Sequence, residues 1–171
     1  MNLSLIYVLG AGALAMVFSF WKTNWISNQK EGNDRMKSIG HSISKGAMAF
    51  LRAEYRILVI FVILVAVLLA VSNRNAENSS PLIAMSFIIG AAASALAGYL
   101  GMKVATKSNN RTTHAAETSL SSALNVAFTG GSVMGLSVVG LGVMGLAGLF
   151  FIYSSGLLFD VDPLMNKSIN K

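Results

Sequence analysis

Few side chains in this sequence have the type and spacing that chemistry requires. The two histidines, His41 and His114, fall in polar stretches between apolar runs, so solvated positions are favoured over metal ligands. Asp160 and Asp162 form a small carboxylate pair, but they end an apolar run just before Pro163. A solvated helix end is favoured there, with an ion site as the alternative. The sequence thus predicts no catalytic, cofactor-binding or metal-ligating residue.

Nucleophilic catalysis has equally little support. A serine nucleophile needs a partnered base, and no such base accompanies the serine pairs at 42 and 44 or at 121 and 122. The chain has no cysteine, which excludes disulfides, thiolate metal sites and a cysteine nucleophile. The stronger signal in the sequence is the distribution of its apolar residues.

Composition indicates a membrane protein. Of the 171 residues, 54% are hydrophobic and only 12% are charged, and the mean hydropathy is +0.62. Soluble domains carry about twice that charged fraction. The net charge of +6 comes from residues that lie beside apolar runs without interleaved aromatics. The lipid bilayer is therefore the expected partner, and nucleic acid is not.

Four apolar runs predict an all-α membrane protein with four transmembrane helices. The predicted helices span 3–21, 46–72, 81–107 and 120–159. A polar cytoplasmic loop at 22–45 and a cytoplasmic connection at 108–119 would separate them. Trp21 and Trp25 end the first run at headgroup level, and Lys22 follows it, which indicates a retained helix and not a signal peptide. The fourth run is longer than a ~30 Å hydrocarbon core, so its helix must tilt, kink or project.

The distribution of basic residues predicts the orientation. Seven lysines and arginines lie between residues 21 and 56, and three lie between 103 and 126. The connection 72–80 has only Arg74. Because cationic connections remain in the cytoplasm, we expect a multi-pass protein of the cell (inner) membrane with its N-terminus outside. Glu54 is expected to pair with Arg52 and Arg56 at the membrane interface.

Small residues recur at four-residue spacing on the third and fourth helices. Such rows let helix backbones approach closely in lipid. Tight packing is therefore favoured over a phosphate cradle, which needs its glycines in a loop that opens a helix. No charged residue interrupts the first, third or fourth apolar run, although ion pathways need such groups. The predicted helix-packing residues are Gly90, Ser94, Gly98, Gly101, Gly131 and Gly135.

Three ordered motifs carry a resemblance to a known family. Residues 98–106 (GYLGMKVAT) with 110–112 (NRT) resemble the end of the third helix of membrane-bound, ion-translocating inorganic pyrophosphatases. Residues 130–136 (GGSVMGL) resemble the start of the fourth helix, and 46–55 (GAMAFLRAEY) the entry to the second. Lys45, Thr129 and His114 depart from the residues common at their positions. These departures bear on the subclass within the family and not on the resemblance to the family itself.

The resemblance implies an enzyme that hydrolyses pyrophosphate at a cytoplasmic Mg²⁺ site and exports H⁺, Na⁺ or both. Some members also require K⁺. Family members are homodimers of sixteen-helix subunits, in which the first four helices belong mostly to an outer ring. The Asp-rich substrate motifs begin on the fifth helix, and nothing similar occurs here before Lys171. The chain is thus expected to be part of a larger multi-helix bundle, as an N-terminal portion of such a pump without its catalytic residues. A stand-alone four-helix scaffold or assembly subunit remains the alternative.

Overall fold

The computed structural model describes residues 3–73 and 82–154, which form four helices. They are α1 (Leu3–Ser27), α2 (Asp34–Ser72), α3 (Leu82–Ala116) and α4 (Leu120–Ser154). These two segments contain no β-strand. The predicted all-α fold with four transmembrane helices is confirmed.

All four helices are long and apolar enough to cross a membrane. The shortest has 25 residues and the longest 39, so they measure about 38 to 58 Å. Most of their large apolar side chains face outward; Phe20 is 81% exposed and Leu146 76%. Such surfaces need lipid or further helices around them. The four described helices therefore bury only the narrow strips of side chains along which they pack against one another.

The helices pack in the order α2, α3, α4, α1, and α1 also touches α3 over a short stretch. Ile26, Val104 and Val133 form the buried cluster where α1, α3 and α4 meet, with Trp25 packed against it. Ile26 and Val133 are each only 1% exposed. This cluster lies close to the end of α1, near the connection to α2.

Two predicted loops are mostly helical. Helix α1 continues to Ser27 and α2 starts at Asp34, so the connection between them covers 28–33 and not 22–45. Helix α3 continues to Ala116, which reduces the predicted connection 108–119 to residues 117–119. Helix α4 begins at Leu120 as predicted, while the predicted start at 81 and end at 159 lie outside the described residues.

Helix-forming interactions that apolarity does not report explain these longer bounds. Asn33 caps α2, since its side chain accepts a hydrogen bond from the Met36 amide at 2.9 Å. Asp34 and Lys37 pair one turn apart at 3.3 Å. The apolar pattern marks where a helix lies in hydrocarbon, whereas caps and polar pairs determine where it begins and ends.

The aromatic residues near the end of α1 surround a lysine. The Lys22 ammonium lies 5.0 Å from the Trp21 ring centroid, 5.4 Å from that of Trp25 and 5.8 Å from that of Phe18. A cation over aromatic faces is stabilised by the ring quadrupoles. This combination suits the boundary between hydrocarbon and headgroups, where the sequence places Trp21 and Trp25.

Candidate functional site

Arg111 is the most heavily bonded side chain of the described structure, and it lies at what we call the polar end of the bundle. This end comprises the connections 28–33 and 117–119 with the adjoining helix ends. The Arg111 side chain is 7% exposed. Its Nη2 donates to the Glu31 carboxylate at 2.6 Å and to the Ser27 carbonyl at 3.2 Å. Its Nε donates to the Gln29 carbonyl at 3.2 Å. We call this set of contacts the Arg111 clamp.

The local sequence positions the backbone carbonyl groups that accept hydrogen bonds from Arg111. The last carbonyls of a helix have no partner within the helix. At the end of α1, the Ser27 carbonyl accepts its hydrogen bond from Arg111 on α3. Gly32 then turns the chain with a φ of +87°, a left-handed conformation that favours glycine. The chain thus reaches the Asn33 cap of α2 in six residues while the Ser27 and Gln29 carbonyls stay directed at Arg111.

Electrostatics favour cations at this position. The C-terminal end of a helix carries partial negative charge, which Arg111 and Lys107 both approach. The Lys107 ammonium lies 3.4 Å from the Ser27 hydroxyl. Arg111 Nη1 also donates to the Lys107 carbonyl at 2.9 Å, one turn earlier on α3. Since four N–H groups of Arg111 are used within the chain, the guanidinium acts as a joint between helices and not as a substrate ligand.

Helices α3 and α4 come together at a serine and a glycine. The Ser108 hydroxyl donates to the Val126 carbonyl at 3.3 Å. A Cβ added at Gly130 would lie 2.8 Å from the Cβ of Ser108 and closer still to its hydroxyl. Only a residue without a side chain fits there. Gly130 was not among the predicted packing residues, although it precedes the predicted Gly131.

Helices α1 and α4 also cross at glycine. A Cβ at Gly140 would lie 3.3 Å from the Gly12 carbonyl oxygen and 3.1 Å from Met16. A Cβ at Gly12 would lie 2.7 Å from Met144. The Ser19 hydroxyl donates to the Val133 carbonyl at 3.4 Å across the same pair. The prediction omitted Gly12 because the other residues of its four-residue row, Val8, Met16 and Phe20, are large. An isolated small residue gives no signal of its partner.

Two of the six predicted packing residues make close contacts. Gly98 lies under the Tyr55 side chain, whose hydroxyl would be 2.9 Å from an added Cβ. A Cβ added at Gly101 would lie 3.1 Å from the Met134 side chain. An added Cβ would meet nothing within 4 Å at Gly90, Gly131 and Gly135, and Ser94 is exposed. Their role against helices outside the described structure stays a prediction.

The exposed part of α4 borders an open groove. Gly131 and Met134 on α4 line it together with Asn109 and Thr112 on α3. The groove has a volume of about 440 Å³. It is open along its length, so it resembles a surface that another helix could cover more than an enclosed ligand site.

The histidines are not gathered into a metal site within the described residues. His41 is exposed. His114 is half-buried, and its Nδ1 lies 2.9 Å from the Glu117 carboxylate, one turn further along. This spacing is readable in the sequence, but the prediction of a solvated His114 overlooked it. Asp160 and Asp162 lie outside the described residues.

The described carboxylates are likewise dispersed. No group of three or more metal-ligating side chains occurs in 3–73 and 82–154. Glu31 is bound to Arg111 and Asp34 to Lys37. The predicted pairing of Glu54 with Arg52 and Arg56 is absent from these segments, because residues two apart on a helix point in different directions. Ser42, one of the serines that lack a partnered base, donates its hydroxyl to the Ser38 carbonyl.

Taken together, four apolar helices that cross at small residues, with polar side chains used as joints, define a polytopic integral membrane protein. The family described as "Inorganic H+ pyrophosphatase" matches residues 13–169. The chain belongs to this family and represents an N-terminal portion of its members.

Similar proteins include pumps named for two different ions. The chain is 44% identical to a putative K(+)-stimulated pyrophosphate-energized sodium pump of Clostridium tetani, over 91% of this chain and 22% of that protein. It is 35% identical to a K(+)-insensitive pyrophosphate-energized proton pump of Pyrobaculum aerophilum, over 92% and 22%. It is 41% identical to the second such proton pump of Moorella thermoacetica, over 83% and 20%. The chain spans about a fifth of the length of these relatives.

Proposed function

We propose that this chain is the N-terminal transmembrane part of a pyrophosphate-energised cation pump, which hydrolyses inorganic pyrophosphate and exports H⁺ and/or Na⁺. The observation that carries the proposal is the family match over residues 13–169. The four packed helices support it. Within the pump, residues 1–171 would form one transmembrane region whose task is packing and support.

The substrate site belongs elsewhere in this proposal. The described residues do not fit a Mg²⁺ site, because their carboxylates are dispersed, and Glu31, Asp34 and Glu117 are each bound to a basic side chain. Mg²⁺ and pyrophosphate would therefore bind to parts of the pump outside this chain, as the resemblance implies, and the same holds for K⁺. The assembled pump would be a homodimer, as its family resemblance suggests.

Relatives named as sodium pumps and as proton pumps match this chain over similar ranges. The resemblance implies that the residues that separate sodium from proton transport lie on other helices of the pump. We infer that ion selectivity depends on helices outside residues 1–171. The proposal accordingly assigns export of H⁺, Na⁺ or both without choosing between them.

Activity measurements test the proposal directly. We expect the longer gene product that contains this chain to hydrolyse pyrophosphate with Mg²⁺ and to load H⁺ or Na⁺ into inverted vesicles. Purified residues 1–171 should show no hydrolysis. A well-folded longer product without Mg²⁺-dependent hydrolysis would refute the pump, and turnover by residues 1–171 would refute the assignment of the site elsewhere.

The proposed orientation places the polar end in the cytoplasm and residue 3 at the outer face. Lysines and arginines concentrate near the polar end, as cytoplasmic connections require. The chain lacks cysteine, so single introduced cysteines report without background. In intact cells a membrane-impermeant maleimide should label Ser4→Cys, and it should label Lys30→Cys only after permeabilisation. The reverse pattern would overturn the orientation.

A further inference from the structure

One face of α2 carries three cations in a row. Lys45, Arg52 and Arg56 are separated by seven and four residues, which places them on one face of the helix. All three are exposed. Glu54 projects to a different side of α2, because two residues turn a helix by about 200°. No carboxylate of residues 3–73 and 82–154 forms an ion pair with these cations.

Helix α3 contributes a lysine and an aromatic ring. Lys103 follows Tyr99 by four residues, and its ammonium lies 5.6 Å from the Tyr99 ring centroid. Tyr99 is 39% exposed. Lys103 is exposed and also makes no ion pair within the described segments. The ring holds the ammonium near the helix surface and leaves its N–H groups available to an anion.

Because Tyr55 joins α2 to α3, the cations of the two helices can be compared by their positions along the helix axes. Its hydroxyl donates to the Ala95 carbonyl and covers Gly98, which docks the antiparallel helices α2 and α3. Arg52 precedes Tyr55 by three residues, and Lys103 follows Gly98 by five. With a rise of about 1.5 Å per residue, both lie toward the polar end at heights that differ by only about 3 Å. Helical phase directs both side chains to the same side of the α2–α3 seam.

Apolar side chains continue this surface away from the polar end. On α2, Val59 and Ile63 extend the row of Arg52 and Arg56, and they are 56% and 57% exposed. On α3, Leu96 precedes Tyr99 by three residues and is 48% exposed. The surface therefore has unpaired cations and a ring at one level and branched apolar side chains at the next.

We propose that this surface, formed by Arg52, Arg56, Lys103 and Tyr99 with Val59 and Leu96, binds one anionic phospholipid. The phosphate of the headgroup binds Arg52 and Lys103, and the acyl chains lie along Val59 and Leu96. Charge complementarity selects an anion. The adjoining apolar row on helices long enough to span a membrane selects a lipid over a free phosphate. This proposal does not depend on pyrophosphate hydrolysis.

Lipid retention measured by native mass spectrometry tests this site. The protein would be released from phosphatidylcholine nanodiscs that contain phosphatidylglycerol. We expect Arg52→Gln combined with Lys103→Gln to weaken phosphatidylglycerol binding about thirtyfold, equivalent to about 2 kcal/mol, because each cation near an anionic surface contributes about half of that. The matched control is Lys30→Gln combined with Arg35→Gln, which removes the same charge from exposed positions that make no ion pair within the described residues.

The outcomes separate a site from general attraction. Equal weakening by both double variants would overturn the site in favour of diffuse electrostatics. Displacement of the lipid by inorganic phosphate at equal concentration would overturn the role of the acyl chains. A photoactivatable phosphatidylglycerol gives a second measurement on the unmodified protein. Its crosslinks should map to residues 52–63 and 96–103, and crosslinks spread evenly over all four helices would contradict the proposal.

Discussion

At the scale of single residues, the Arg111 side chain is 7% exposed and donates to the carbonyl of Ser27, the last residue of α1, and to that of Gln29 in the connection. An arginine suits this place because its planar group directs several N–H donors at once, whereas a lysine ammonium is a compact point charge. The Glu31 carboxylate balances its charge at 2.6 Å. One side chain thus joins α3 to both the end of α1 and the connection to α2.

Replacement of Arg111 by lysine should lower the free energy of unfolding by about 2 kcal/mol, since buried carbonyl groups would lose charged hydrogen bonds. Thermal or denaturant unfolding in detergent measures this. Arg35→Lys is the control, because Arg35 is exposed and makes no ion pair within the described segments. If both variants unfold alike, the Arg111 clamp contributes nothing to stability.

At the scale of helices, close packing depends on where small residues fall relative to the partner. Gly130 and Gly131 are adjacent in sequence but point in different directions from α4. An added Cβ at Gly130 would collide with Ser108, whereas at Gly131 it would meet nothing within 4 Å. The neighbours therefore form a natural pair for testing the α3–α4 crossing.

Gly130→Ala should destabilise the chain by about 1 to 3 kcal/mol, because the crossing must open to admit the methyl group. Gly131→Ala should leave stability unchanged or raise it by up to about 1 kcal/mol, since alanine is the better helix former. Unfolding of both purified variants gives the comparison. The same sign for both would contradict the described register of α4 against α3.

The four membrane-spanning helices can be predicted from the sequence, but their ends and the residues at which they contact one another cannot. Apolar runs locate four spans because hydrocarbon tolerates little else. They do not locate helix ends, as the helical turns of 34–45 and 108–116 demonstrate. A four-residue row identifies small residues but not the partner that they face. For this reason Gly98 and Gly101 make close contacts, while Gly12 and Gly130 were missed.

At the scale of the whole molecule, the outward surface exceeds what four helices can cover. Gly131 lines the groove between α3 and α4, and both Gly131 and Gly135, four residues further along α4, are exposed. Lipid gives little reason to keep such positions small, whereas a neighbouring helix does. We propose that further helices of the pump cover this side of α4.

Gly135→Leu distinguishes the chain from the longer protein. Residues 1–171 should keep their stability, because nothing lies within 4 Å of an added Cβ. The longer gene product should lose thermal stability, since a leucine would separate α4 from its neighbour. Unfolding temperatures of both proteins in the same detergent measure this. An unchanged longer protein would place Gly135 toward lipid.

The three-residue connection between α3 and α4 has a mechanical consequence. Two helices of 35 residues, joined so tightly and interlocked at Ser108 and Gly130, can barely slide past each other. A force that tilts one must tilt the other, so the pair behaves as a single stiff strut. The Arg111 clamp attaches α1 to this pair. Neighbouring helices that move would therefore act on three connected helices and not on independent ones.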